Sequence, residues 1–206
     1  MRTRFCDVSR LVVACLIAFP ATGLGQEFAD LRKQYESGQY QAVADAVGAM
    51  TDRSPRVWYL TAQTYEKLGL GDQLRDAYNQ LAGGTEENPW TFVGRSAIAV
   101  LDKNFDEGVN AANQAITLDA ALPEAYFQLG LAEAFRQNFE SAAAALDKAT
   151  ELDPQFGYAH YQAGLAHYRN KRPDRMASHF EMFLTVAPQA PERPEVESIL
   201  RTLRGR

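Results

Sequence analysis

Positions 34 residues apart in this chain carry the same kinds of side chain. Trp58, Phe92, Tyr126 and His160 form one such column, and all four are rings. Ala62, Ser96, Gly130 and Gly164 form a second, all small; Leu118, Leu152 and Val186 form a third, all apolar. Self-similarity at a fixed period of this length is what a stacked array of helical units leaves in a sequence, because each unit buries its apolar face only against its neighbours. The constraint sets fold and working surface together, and it argues against most kinds of enzyme.

The segments between the columns read as helix. Residues 26–206 show no period-two alternation, alanine is abundant, and apolar residues recur at i, i+3, i+4 and i+7. Gly69/Gly71, Gly83-Gly84 and Pro154 supply breaks at loop spacing. The clearest unit runs from Pro123 to Pro154. Pro123 suits a first helical turn, where its missing N–H costs nothing. Tyr126, Leu129 and Gly130 share one face, Gln137-Asn138 makes a turn, and Ala142, Leu146 and Ala149 share the inner face of a second helix. Asp153-Pro154 ends the unit, since a residue before proline is pushed out of the helical region.

This unit resembles a tetratricopeptide repeat. Tyr126-x-x-Leu129-Gly130, then Ala142-x-x-x-Leu146, then Pro154 is similar to the family pattern of an aromatic, Leu-Gly, a small residue and a closing proline. Windows of the same length at 55–88 (Trp58, Ala62, Tyr65, Tyr78), 89–122 (Phe92, Ser96, Phe105, Ala115) and 157–190 (His160, Gly164, Phe180, Pro188) resemble it too. A shorter unit at about 27–54 precedes them, with Gly38-Gln39-Tyr40 as its turn. The final stretch, 192–204, carries Val196, Ile199, Leu200 and Leu203 on one stripe, with Glu195, Glu197, Arg201 and Arg204 around the rest, as a solenoid cap requires. The fold class the resemblance implies is all-α: a right-handed superhelix of antiparallel helix pairs, four to five units and a capping helix.

The first 25 residues read as a secretory signal peptide. Arg2, Arg4 and Arg10 lead, Leu11–Phe19 is an apolar run of nine ended by Pro20, and small residues follow. Cleavage fits after Gly25 or Gly23, with Gly25 preferred, leaving Gln26 first. The run is too short to span a bilayer, which takes about 20 residues, so no membrane insertion is expected after cleavage. The lipoprotein alternative at Cys15 is disfavoured because most of the apolar run follows the cysteine. Both cysteines, Cys6 and Cys15, lie in this leader, so the remainder has neither disulfide nor thiolate. Three arginines and one aspartate also lie there, so of the formal −5 the remainder carries −7. That balance argues against nucleic acid or an anionic membrane as partner. The expected location is exported, periplasmic or secreted.

No catalytic, cofactor or metal motif is legible. His160 and His167 stand seven apart, about 10 Å along one helix, whereas two ligands of one metal on a helix want i, i+4. They read as packed or edge histidines, as His179 does. Two charges break the pattern at inward columns: Arg95 stands where Leu129 stands one unit later, and Glu133 where Tyr65 stands two units earlier. They are expected either to pair across their junction or to turn outward by local drift, because a lone buried charge costs several kcal/mol.

In tetratricopeptide arrays the first helices line a concave groove. Here the corresponding positions, one residue after each ring and four further on, are Tyr59 and Gln63, Val93 and Ala97, Phe127 and Leu131, and Tyr161 and Leu165. Trp90, Glu66, Tyr158 and Tyr168 flank them. Such an apolar, aromatic surface suits a protein or peptide partner; the alternative is that part of it packs between neighbouring first helices. The Lys and Asn with which some family members clamp a peptide carboxylate are missing here. Truncating Phe127 or Tyr161 is accordingly expected to weaken partner binding without unfolding the array. The expected function is a non-enzymatic adaptor or scaffold. The alternative is a structural subunit of a cell-envelope assembly serving secretion, pili or the outer membrane, with no free peptide ligand.

Overall fold

Proline and asparagine or serine open several of the helices, and a repeated turn joins each pair. The computed structural model describes residues 23–205; the first 22 residues of the expected 25-residue leader, with Cys6 and Cys15, lie outside the described residues. Eleven helices and no strand occur among them. Five antiparallel pairs are α1 (Gly23–Glu36) with α2 (Tyr40–Gly48), α3 (Pro55–Leu68) with α4 (Gly71–Ala82), α5 (Pro89–Leu101) with α6 (Phe105–Leu118), α7 (Pro123–Phe135) with α8 (Phe139–Leu152), and α9 (Gly157–Arg169) with α10 (Pro173–Val186). A single helix, α11 (Arg193–Arg204), follows. Ser54 caps α3 by accepting from the Val57 N–H, and Asn88 caps α5 by accepting from the Trp90 N–H at 3.1 Å.

Within each pair the same turn recurs. The N–H after the turn donates back five residues: Gln39 to the Gln34 carbonyl (3.0 Å), Leu70 to Tyr65 (2.9 Å), Asn104 to Ala99 (2.8 Å), Asn138 to Glu133 (2.9 Å) and Arg172 to His167 (2.9 Å). This bond requires a left-handed residue just before it. Gly38 and Gly69 fill that place without strain, but Lys103, Gln137 and Lys171 take it at φ 62, 64 and 56. Each of those three costs about 1 kcal/mol that a glycine would not. Four of the five positions, 69, 103, 137 and 171, keep the 34-residue spacing.

Each helix packs on its sequence neighbour, and first helices also touch across units, α1 on α3, α5 on α7 and α7 on α9. Small residues set the pair distance. A methyl added at Gly130 would strike Leu146, and one at Gly164 would strike the Phe180 ring. The cap buries Val196 and Leu200 against Phe180, Phe183 and Met176, with Ile199 and Leu203 alongside. No helix among the described residues is long and apolar enough to cross a membrane.

The array bends until its ends meet. Arg32 on α1 donates to Asp153 after α8 at 2.6 Å, and the Gly157 N–H that opens α9 donates to Glu36 at 3.0 Å. The Tyr40 and Tyr158 hydroxyls are 2.7 Å apart, and Lys67 reaches Glu192, just before α11, at 2.7 Å. Gly38 lies so close to Pro191 that a Cβ there would sit 2.8 Å from the proline ring.

Candidate functional site

The concave face divides into a filled part and an open part. Helix α1 lies across the filled part. Its Phe28, Arg32 and Tyr35 enclose a water-sized cavity with Tyr59, Gln63, Glu124 and Phe156 from α3, α7 and the turn before α9. Gln128 donates to the Tyr59 hydroxyl at 2.8 Å and Arg56 faces Glu124 at 2.9 Å, while Nη2 of Arg32 is buried with no hydrogen-bond partner among the described residues. Burial pushes the phenols of Tyr35, Tyr59, Tyr78 and Tyr158 up. Burial also pushes the Glu36 and Glu124 carboxyls up, against the pull of Arg32 and Arg56. Glu192 moves the other way: burial raises it, but hydrogen bonds from Lys67 and Tyr158 outweigh that and hold it low.

The open part is a cleft of about 610 Å³. Two columns line it. One is Gln63, Ala97, Leu131 and Leu165; the other, one helical turn further on, is Lys67, Leu101, Phe135 and Arg169. Phe135 is 57% exposed and stacks flat on Phe105, with ring centroids 5.5 Å apart. Lys103, Phe105 and Phe139 complete the rim, and the Arg169 guanidinium lies over the Phe139 ring. Neither Lys103 nor Arg169 makes an ion pair among the described residues, while Lys67 is held by Glu192. Burial pushes the neighbouring Glu66 carboxyl up.

The expected groove is therefore displaced by one helical turn. Its first column is closed: Tyr59, Val93 and Phe127 are at most 3% exposed, and Tyr161 is half-buried against Phe180 and Phe183. Tyr158 is buried among Tyr35, Tyr40 and Glu192, although part of it borders the cleft. Trp90 is half-buried beside Tyr59, and Tyr168 is exposed away from the cleft. Gln63, Glu66, Ala97, Leu131 and Leu165 do line it, and an edge of the buried Phe127 borders it. The cover is mostly local: Tyr59 faces α1 across the small cavity, but Phe127 packs on Phe156 and Tyr161 on Phe180 and Phe183, so neighbouring elements fill this column, as the packing alternative expected. The missed residues Leu101, Phe135 and Arg169 had a signal, being 34 apart and nine after the ring column.

Arg95 and Glu133 do not pair. Arg95 faces Glu86 at 3.4 Å and lies over the Phe92 ring, whereas Glu133, 7% exposed, is held by Arg136 at 3.2 Å. Each charge found a partner close in sequence, nine residues back for Arg95 and three residues on for Glu133, with a shorter span to bridge. The three histidines are also closer than their spacing suggested. His167 and His179 meet on Asp147 and His160 contacts His179 behind them, a cluster that needed α8, α9 and α10 to be folded together.

Residues 123–156 match the tetratricopeptide repeat family. No curated protein matches the chain. Among solved structures, TTC0263, a thermophilic TPR protein of Thermus thermophilus, is 19% identical with a TM-score of 0.60, covering 85% of this chain and 98% of that one. The OM64 TPR domain of Arabidopsis is 24% identical at a TM-score of 0.54, covering 58% of this chain and 99% of its own. YrrB, a TPR protein described as having an unusual peptide-binding site, is 18% identical at 0.51, covering 84% and 89%. The fold is thus that of a tetratricopeptide solenoid.

Proposed function

We propose that this chain is an exported protein-interaction module that holds one short partner segment in the displaced cleft. An apolar side chain of the partner sits among Leu131, Phe135 and Leu165, and an acidic group beside it faces Lys103 and Arg169. The observation that carries this reading is the exposed, apolar cleft with two cations that have no ion-pair partner among the described residues, in a protein of net charge −5. YrrB, of the same fold, is described as having a peptide-binding site. A partner phenyl ring buries about 150 Å², worth about 4 kcal/mol before ordering costs, so one anchor gives weak, exchangeable binding. Export rests on the layout of residues 1–25.

The test expresses the full sequence in a bacterium and recovers the protein from the envelope fraction, where an N-terminus at Gln26 is expected. That protein is screened against a displayed library of short peptides. Sequences pairing an aromatic or aliphatic residue with an acid should be enriched, and a Leu131→Asp/Leu165→Asp variant should lose them. An uncleaved cytoplasmic protein overturns export. Equal enrichment on the variant, or none on the wild type, overturns the cleft and favours a structural subunit.

A further inference from the structure

Two of the protein's three histidines meet on one carboxylate, and the third stands behind them. His167 Nε2 lies 2.8 Å and His179 Nε2 2.9 Å from the same oxygen, Oδ1 of Asp147. The two rings are stacked, 5.4 Å apart and 16° from parallel. His160 backs the cluster: its Nδ1 is 3.2 Å from His179 Nδ1, and its Nε2 is 3.2 Å from the Pro154 carbonyl. Asp147 comes from α8, His167 from α9 and His179 from α10.

The repeat does not ask for these residues. His179 stands in a column whose other members are Ala77, Ala111 and Ala145, and His167 in one with Tyr65, Ala99 and Glu133. Nor does hydrogen bonding account for all their ring nitrogens. His167 is 1% exposed, and its Nδ1 is buried with no partner among the described residues. Proton counting leaves a second gap. If neutral His179 donates Nε2–H to Asp147, its Nδ1 must accept from His160 Nδ1–H. His160 Nε2 is then a lone pair facing the Pro154 carbonyl, so one contact lacks a proton. The chain closes with neutral rings if something other than a proton occupies His179 Nε2. His179 Nδ1–H then donates to His160, and His160 Nε2–H donates to Pro154, the outer support that metal-bound imidazoles commonly have.

We propose that Asp147 Oδ1, His167 Nε2 and His179 Nε2 bind one divalent transition-metal ion of the zinc class, with solvent at the fourth position. The candidate atoms lie within 4.8 Å of one another. Tetrahedral ligands of zinc stand about 3.3 Å apart, so the two N···O contacts open by about half an ångström. Imidazole with carboxylate suits zinc, nickel or copper rather than magnesium or calcium. Arg175 holds the other oxygen, Oδ2, at 3.0 Å, which keeps Asp147 monodentate, and its exposed guanidinium sits in water. His179 and Asp147 are partly exposed, which gives the ion a way in and leaves the fourth position wet. The ion would join α8, α9 and α10 across the junction of the last two units.

The full chain, made without a histidine tag and stripped with a chelator, is titrated with zinc chloride by calorimetry, and with cobalt(II) while its visible spectrum is followed. One zinc per chain and the strong visible absorption of a tetrahedral cobalt site are expected. His179→Ala restores the alanine of the other units, so it keeps the helical circular dichroism, yet it should weaken zinc at least about 100-fold and abolish the cobalt band. His160→Ala, which removes only the outer support, should weaken zinc about 10- to 100-fold. Zinc that binds the wild type and His179→Ala equally, or not at all, overturns the site. So does thermal stability that shifts with pH and is indifferent to zinc.

Discussion

Phe127 and Phe135 lie eight residues apart on one helix and do opposite jobs. Phe127 is 3% exposed and packs against Phe156 at 4.8 Å, so it is part of the core. Phe135 faces the cleft. Phe127→Ala should therefore cost about 3–5 kcal/mol. Phe135→Ala should stay within about 0.5 kcal/mol of wild type, as exposed positions do, while losing the enriched peptides. Urea unfolding of the two variants separates these outcomes; equal destabilisation would show that Phe135 is structural as well. Read from sequence alone, Phe127 was the better candidate for the groove, since it directly follows a ring column. The 34-residue period tells which residues face inward. It does not tell how much of the inward face the chain itself covers, because that depends in part on Arg32 meeting Asp153, 121 residues away.

At the scale of the helix pair, glycine has two meanings. Gly164 is a contact: its Cα–H faces the Phe180 ring, and a methyl there overpacks the α9–α10 pair. Gly71, in the first turn of α4, has open space around it. Gly164→Ala is expected to destabilise by about 1–3 kcal/mol, and Gly71→Ala to stabilise by about 0.5 kcal/mol through loss of unfolded-chain freedom. Thermal unfolding should move in opposite directions for the two; a Gly164→Ala protein melting at or above wild type would mean that Phe180 gives way freely. The helix pairs themselves were legible because Pro55, Pro89 and Pro123 punctuate them at the repeat spacing. The left-handed turns were only half legible. Gly69 announces one, but Lys103, Gln137 and Lys171 carry no glycine, and tertiary packing imposes their conformation. The Asp147 cluster was invisible for a related reason: its members come from three helices, and no single-helix spacing contains it.

For the whole molecule, the telling charges are those at the closing contact. Glu36 and Glu124 bind a proton more readily in the folded chain than in the unfolded one, since burial pushes both carboxyls up. The sign follows: where the folded state holds more protons, stability falls as pH rises. Between pH 7 and about 5, wild type should therefore gain stability relative to a Glu36→Gln/Glu124→Gln variant, which lacks these two titrations. Urea midpoints of both proteins at the two pH values measure this, and a constant difference would mean that the closing carboxylates are well solvated. Glu192, held low by Lys67 and Tyr158, contributes its stability above the ordinary carboxylate range and loses it only as pH falls through its own lowered value. The meeting of Gly38 with Pro191 and of Lys67 with Glu192 has a further consequence. An open solenoid tolerates an extra rung anywhere, because each unit knows only its neighbours. Here one more unit, or one fewer, would swing the first helix away from the segment that receives it. The seam counts the repeats, and among the described residues it admits five pairs and the cap α11.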